Sequence, residues 1–529
     1  MDKNRKLMSS TDIGKTEIFL AVLSGILMTA AFPNIGLSWT AWFAMVPLLV
    51  AMRHQPWGNS FRLGFIAGLA HYFTLVYWLV HTMRTYGYLP WYLSVAVLVL
   101  IVSYVSLYLG AFAVLIQQIS GTPACLVWQV PVFWVSLEFL RSILFSGMPW
   151  ELMGYSQHET LHIIQIADVF GIYGVSFVIA LGNAAAFIGY LLVREKDWGN
   201  IKVTKRLFAV SLACFACIFL SVWVYGNKRL KFFDDLISRS PSVLIAVIQG
   251  NINQAVKWNP KFQEQTIDDY IKLSESVLSD DLDLIVWPET ATPFYLLRDV
   301  EPSERVFKGI LNTGKDFLIG SPSYVNRGNR IDYFNSAYLI QAEGSIAGKY
   351  DKVHLVPFGE YVPFKKWLPF IGKLVEQVGD FKPGKRGSTI PWRDLRIGMQ
   401  ICYEIIFPNL SRRMVQNGAD LLVNITNDAW FGRTGAPYQH FSMAAIRAVE
   451  NRRTLVRAAN TGISGFVDPT GRVPAATPLF KAEALKQKVP VLKTETIYSR
   501  YGDFFAIICL VVSLSVVMLR YRSKLRFVR

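Results

Sequence analysis

Cysteine is scarce in this chain: there are five in 529 residues, and Cys125, Cys214, Cys217 and Cys509 all fall in or beside apolar runs. Only Cys402 lies in a water-compatible stretch, so no disulfide framework can be built around it. Histidine is equally thin there, with His354 and His440 the only two between residues 227 and 500. No closed zinc site of ordinary spacing follows from that set, and neither a metal nor a cofactor is expected. A papain-like Cys–His pair is formally open to either histidine, although neither sits in a matching local motif. No glycine-rich loop of the phosphate-cradling kind occurs, and there is no internal repeat or low-complexity tract. Charge is sparse too, at 17% of residues against 52% hydrophobic, which excludes an ordinary soluble protein.

What is present is a series of long apolar runs. They cover about Ile18 to Phe32, Trp39 to Met52, Leu63 to Met83, Leu89 to Ile116, Leu126 to Leu144, Val169 to Val193, Leu207 to Tyr225 and Phe504 to Leu519. Most are long enough to cross a hydrocarbon core of about 30 Å at about 1.5 Å per residue; the second is short enough to be tilted or partly buried. A second run only a PNIG turn after the first argues for a helical hairpin over a cleaved signal peptide. The net charge of +16 sits largely in short basic stretches beside these runs, so it reads as membrane orientation and not as nucleic-acid binding. With eight spans, the head (Lys3, Arg5, Lys6, Lys15), the Arg53 to Arg62 loop, the Arg194 to Arg206 loop and the Arg520 to Arg529 tail all fall on the cytoplasmic side. The expected organisation is a seven-helix membrane domain over 1–226, a soluble domain over 227–500 on the opposite face, and an eighth helix with a basic tail over 501–529.

The soluble segment alternates β and α patterns. VLIAVIQG, LDLIVWPE, FLIGSPSY, SAYLIQ, SIAGKY, RIGMQICYE, DLLVNITND and LVRAAN read as strands; Gln263 to Leu278, Ser303 to Thr313 and Tyr438 to Asn451 read as helices. AEG and DPTG read as hairpin loops. Mixed sheets covered by helices follow from this pattern. Cys402 closes one apolar strand and Glu289 another. A thiol is only a few per cent ionised at neutral pH, so as a nucleophile it needs a base and a cation nearby. Glu289 is a candidate base, with a helix N-cap or surface acid as its alternative, while Lys349 and Lys352 both offer the cation.

A Glu, a Lys and a Cys at strand ends, in that order, resemble the nitrilase superfamily. VIQGNINQAVKW, WPET, KVHLVPFGEYVP, CYE and NDAWFG resemble, more narrowly, its membrane-embedded branch, the apolipoprotein N-acyltransferase family. The resemblance implies an αββα sandwich on an eight-helix bundle in a bacterial inner membrane, with the soluble domain in the periplasm. It selects Lys352 over Lys349. It implies a ping-pong cycle in which Cys402 takes an acyl chain from a phospholipid (sn-1 of phosphatidylethanolamine) and passes it to the α-amino group of the lipidated N-terminal cysteine of an apolipoprotein. Glu289 is then the acid–base group, and Lys352 and the Tyr403 backbone N–H stabilise the oxyanion. Glu360 and Glu404 are expected to hold Lys352 and the Cys402 loop in register. No cofactor or nucleic acid enters such a cycle, and a monomer among membrane lipids is expected.

Other residues keep two readings. Trp258, Tyr403, Phe358 and Trp430 either line an acyl-chain channel or belong to the core. Asn335 either hydrogen-bonds at the site or is an ordinary strand-turn asparagine. Arg141, Gly147 and Trp150 match a stretch of the same family at the outer end of the fifth span, where they either meet a phospholipid head group or act as interfacial anchors. Glu138 is expected to pair with Arg141 at i,i+3. Two other classes of function remain: a membrane-tethered amidase that uses water in place of the amine, and a transporter-like scaffold without catalysis, against which the intact Glu289, Lys352 and Cys402 set speaks.

Overall fold

The computed structural model of the chain describes residues 12–361 and 381–528. Lys3, Arg5 and Lys6 of the basic head, and Val362 and Pro363 of the KVHLVPFGEYVP motif, lie outside the described residues.

Among the described residues five helices are long and apolar enough to cross a membrane: Trp91–Ile119, Pro123–Ile143, Ile172–Val193, Lys205–Arg239 and Phe504–Arg522. A sixth crossing exists if Trp57–Leu75 and Trp78–Thr85, bent by 53° at their break, form one span. The first two apolar runs make shorter elements. Lys15–Ala30 has 16 residues, about 24 Å of helix, and the second run is divided into a 3₁₀ turn, Ser38–Trp42, and a helix Val46–Ala51 restarted by a proline in its first turn. Helix approach in the bundle depends on small residues. A Cβ on Gly64 would stand 2.4 Å from the Leu109 carbonyl oxygen, and one on Gly68 2.8 Å from Ser106, so Trp57–Leu75 and Trp91–Ile119 meet backbone to backbone.

The apolar run at 207–225 is the first part of a helix that continues unbroken to Arg239, past the expected boundary at 226. Beyond it lie two six-stranded sheets. One has the order Glu483–Pro490, Ser242–Gln249, Leu284–Val286, Asp316–Asn326, Ile331–Ile340, Ile346–Asp351; the other runs Ala475–Ala476, Gly465–Val467, Leu455–Ala459, Leu421–Thr426, Leu395–Ile401, Thr389–Trp392. In each sheet three strands are parallel, and these are the Val- and Ile-rich runs without polar alternation, as expected where both faces are covered. AEG and DPTG do connect antiparallel neighbours. Pro260–Glu275 and Val300–Thr313 cover the first sheet, and Pro408–Gln416 and Ala436–Asn451 cover the second.

Ala436–Asn451 joins the two halves of the molecule. Every residue in it except Tyr438 and Phe441 is buried, because it packs on the strand Leu455–Ala459 and the Cys402 turn on one side and on the membrane-side elements Met153–Gln157 and Ala167–Phe170 on the other. One apolar core accordingly runs from the membrane helices through the second sheet, while a smaller one lies under Pro260–Glu275 and Val300–Thr313. Asp168 adds a polar link, since Arg452 at the end of Ala436–Asn451 and Arg229 on the long helix both reach its Oδ2, at 2.7 and 2.6 Å.

Candidate active site

Cys402 follows directly on the strand Leu395–Ile401 and opens a 3₁₀ turn, Cys402–Ile406, with φ +54°. A left-handed cysteine is uncommon and costly, and it persists only where its surroundings hold it. Here the clamp is Glu404. This fully buried carboxylate accepts the N–H of Ile401 at 2.7 Å, the N–H groups of Val353 and His354 at 2.6 and 2.9 Å, and the Tyr350 hydroxyl at 3.0 Å. It therefore ties the Cys402 turn to the segment after Lys352, and burial pushes its carboxyl up to about 7 even against these donors.

Lys352 is 1% exposed and lies between two acids. Its Nζ donates to Glu360 Oε1 at 2.8 Å and stands 3.6 Å from Glu289 Oε1. Burial alone would lower its pKa, but the charges of Glu360 and Glu289 outweigh burial and raise it, so the amine is held as an ammonium. Glu289, 5% exposed, is neither an N-cap nor a surface acid. Its Oε1 accepts Asn335 Nδ2 at 2.8 Å and its Oε2 accepts the Asn427 N–H at 2.9 Å. Asn335 Nδ2 also reaches Glu360 Oε1 at 3.0 Å, so this asparagine spaces the two carboxylates. Burial and the Glu289 charge push the Cys402 thiol well above its ordinary range, and Lys352 offsets them only in part. The thiol therefore rests protonated.

Not every expected residue joins this cluster. Trp258 and Phe358 are each 51% exposed on loops, and Tyr403 packs partly buried on Phe407 with ring centroids 5.2 Å apart. Trp430 sits edge-on to Tyr86, its carbonyl accepting the Thr82 hydroxyl of the bent helix pair. Arg141 and Trp150 are buried rather than displayed to a head group. Trp150 donates its indole N–H to Gln439 at 2.9 Å, Arg141 donates to the Trp150 carbonyl at 3.1 Å, and Gly147, at φ +78°, makes the turn between them. The expected Glu138–Arg141 pair is corrected by these bonds. The chain folds back after Ile143, so Glu138 Oε1 takes the Met153 N–H at 2.7 Å while Arg141 is satisfied by the Trp150 main chain. Arg141, Glu138 and Glu151 line a small cleft with His71, Tyr72 and Tyr108.

Sequence reasoning gave no role to Lys257, Asp428 or Arg457, and named His440 only as a candidate for a Cys–His pair. Lys257, next to Trp258, is fully buried; its Nζ donates to the Glu289 carbonyl at 3.3 Å, and burial lowers its pKa to about 8. Asp428, His440 and Arg457 are wholly buried behind Cys402. Burial opposes ionisation of Asp428, but Arg457, at 2.9 Å, and His440 hold its carboxyl well below the usual range. The bond between His440 and Cys402 is from Nε2 to the Cys402 carbonyl oxygen at 3.2 Å, which is not the geometry of a Cys–His pair. Asp428 lay within a quoted motif, NDAWFG, but nothing in its spacing connects it to Arg457 on another strand.

A buried thiol on a strand-end turn, with a buried ammonium and two buried carboxylates, set in a helix-covered two-sheet sandwich joined to apolar helices, is the arrangement that two family models describe as a carbon–nitrogen hydrolase domain on a membrane-side domain. The carbon–nitrogen hydrolase family model matches residues 244–495, and the model of the apolipoprotein N-acyltransferase N-terminal domain matches residues 24–185. The apolipoprotein N-acyltransferase of Geobacter metallireducens is 44% identical over 529 residues, covering 99% of each chain, and that of Methylococcus capsulatus is 32% identical over 504 residues, covering 93% of each. Among solved structures, Saccharomyces cerevisiae Nit3 of the nitrilase superfamily is 18% identical with TM-score 0.36, covering 49% of this chain and 93% of that one. An amidase from Nesterenkonia sp. is 21% identical with TM-score 0.35, covering 48% and 92%. The chain belongs to the apolipoprotein N-acyltransferase family and is a membrane-bound N-acyltransferase.

Proposed function

We propose that Cys402 carries the acyl chain as a thioester between two lipid-borne substrates. The donor is a phospholipid, with the sn-1 ester of phosphatidylethanolamine as the expected bond; the acceptor is the α-amino group of the diacylglyceryl-modified N-terminal cysteine of an apolipoprotein. Glu289 takes the thiol proton as sulfur attacks the ester carbonyl, and the oxyanion forms against Lys352 and the Tyr403 N–H. Collapse breaks the ester C–O bond, and Glu289 returns the proton to the leaving oxygen of the lysophospholipid. The amine then attacks the thioester and gives its proton to Glu289, the C–S bond breaks, and the sulfur regains the proton. An α-amine with a pKa of about 8 is partly neutral at working pH, so a modest base suffices.

The observation that carries this reading is the joint burial of Cys402, Lys352 and Glu289 directly behind a helix packed against the membrane bundle. Both substrates are anchored in a bilayer, and the site is built where a bilayer-anchored chain arrives. We place eight crossings in a bacterial inner membrane, with the catalytic domain, residues 227–500, in the periplasm and the enzyme acting as a monomer. The basic loops support that orientation. Glu360, Asn335 and Glu404 then act through Lys352, Glu289 and the Cys402 turn. Trp258 and Phe358, exposed beside the site's loops, are placed to meet acyl chains. Arg141, Gly147 and Trp150 support the site from the membrane side.

Incubation with phospholipid alone decides between transfer and hydrolysis. Acyl-Cys402 should accumulate, seen as an added acyl mass on the intact protein, with about one equivalent of lysophospholipid released. Continuous release of free fatty acid without an amine acceptor would mean that water resolves the thioester and that the chain is a hydrolase.

A further inference from the structure

The Cys402 carbonyl oxygen is held from behind by two buried side chains. Asn424 Nδ2, on the neighbouring strand Leu421–Thr426, donates to it at 3.3 Å, and His440 Nε2, on Ala436–Asn451, faces it at 3.2 Å. A carbonyl only accepts, so Nε2 carries the hydrogen. The opposite edge of the ring meets Arg457 Nη2 at 2.9 Å and Asp428 Oδ1 at 3.0 Å. Arg457 also holds the Asn424 Oδ1 and, at 2.9 Å, Asp428 Oδ2. With Oδ1 fixed by Arg457, Asn424 must present its NH₂ to the carbonyl, and all four of these side chains are 0% exposed. The network touches the peptide behind the thiol, and the acid–base steps written above make no use of it.

That peptide has a second end. In a trans, planar peptide the C=O and N–H point in opposite directions, so whatever fixes the Cys402 carbonyl also aims the Tyr403 N–H. We infer that Asn424 and His440 are positioning residues that set the direction of the oxyanion donor: by holding the Cys402 carbonyl on one side of the turn, they hold the Tyr403 N–H toward the acyl carbonyl on the other. The inference rests on the thioester cycle proposed above, and it adds a requirement that the cycle alone does not make. An oxyanion donor works only when it is aimed beforehand at the place where charge develops, and losing one donor typically slows catalysis by about a hundred- to thousandfold. A left-handed residue gains nothing from φ alone that would keep its peptide plane still, so the plane needs external partners.

The test separates two reactions of the same sulfur in the full-length enzyme reconstituted in phosphatidylethanolamine vesicles. Acylation by the phospholipid passes through an oxyanion. Alkylation by iodoacetamide, at a saturated carbon, does not. His440→Leu and, independently, Asn424→Leu, which keeps the approximate shape and removes the NH₂ donor without adding a charge, should each slow formation of acyl-Cys402 by about tenfold or more. The rate and pH profile of Cys402 alkylation should stay within about twofold of wild type. His440→Gln, which retains a donor group, should recover part of the acylation rate. Equal loss of both reactions in both variants would show a merely structural role and overturn the inference, as would wild-type acylation in either variant. Failure of wild-type protein itself to form acyl-Cys402 is a different result: it would overturn the thioester cycle.

Discussion

The thiol and its proposed base are each predictable in their separate failure. Cys402→Ser preserves size and the turn but substitutes a hydroxyl whose pKa is far higher, so the acyl adduct should disappear while the unfolding temperature stays within a few degrees of wild type. Glu289→Gln should also give no adduct at neutral pH, yet its thiol should titrate lower than the wild-type thiol. The sign follows from the groups around Cys402: burial and the Glu289 charge both raise its pKa and Lys352 lowers it, so neutralising Glu289 removes an upward push and leaves the downward one. Thiolate absorbance or alkylation rate measured against pH reads this directly, and an upward or absent shift would contradict the arrangement. These residues could be named from the sequence because each follows an apolar strand-like run and each belongs to a family motif. Lys257 and Arg457 could not be, and His440 was named only as a candidate for a Cys–His pair. Their importance lies in being buried against a partner from another element, and a single sequence gives spacing along the chain but no distance across it.

Strands and helices of the sandwich were read mostly where the pattern was strong. The helix expected at Tyr438 to Asn451 begins at Ala436, and the parallel strands fall where the Val/Ile runs do. The short or polar edge strands Thr389–Trp392 and Glu483–Pro490 carry no such pattern, because an edge has one partner and little to bury. The long helix was cut short at residue 225 for a related reason. Its apolar run ends there, but hydrogen bonding within the helix does not, and it continues with charged residues to Arg239. Gly226 lies at that change of character, where a Cβ would come within 1.8 Å of the His162 carbonyl oxygen. Gly226→Ala should force the long helix away from Leu161–Ile164 and destabilise the protein by about 1–3 kcal/mol, read as a lower midpoint in thermal unfolding. An unchanged midpoint would mean that the two helices are free to separate there.

At the scale of the whole molecule, orientation is the property the apolar runs announce and the one open to direct measurement. A reporter active only outside the cytoplasm should function when fused after Ser240, beyond the end of the long helix, and should fail when fused after Lys202; the reverse pattern would put the sandwich in the cytoplasm. The count of crossings was only partly legible, since length and hydropathy mark five or six helices among the described residues while the first two runs fold into shorter pieces. Gln439, on the helix shared by both halves, carries a further implication. Its amide is fully used: Oε1 accepts the indole N–H groups of Trp78 and Trp150, and Nε2 donates to the carbonyls of Pro33 and Leu75, the latter at the break of the bent pair. Its neighbour in the chain is His440. A detergent that loosens the bundle therefore strips four bonds from the residue adjoining the one that holds the nucleophile's peptide, so activity should be lost at a lower temperature than the sandwich melts. A chain trimmed to residues 240–495 for convenience in solution lacks all four of these partners and should be inactive from the outset.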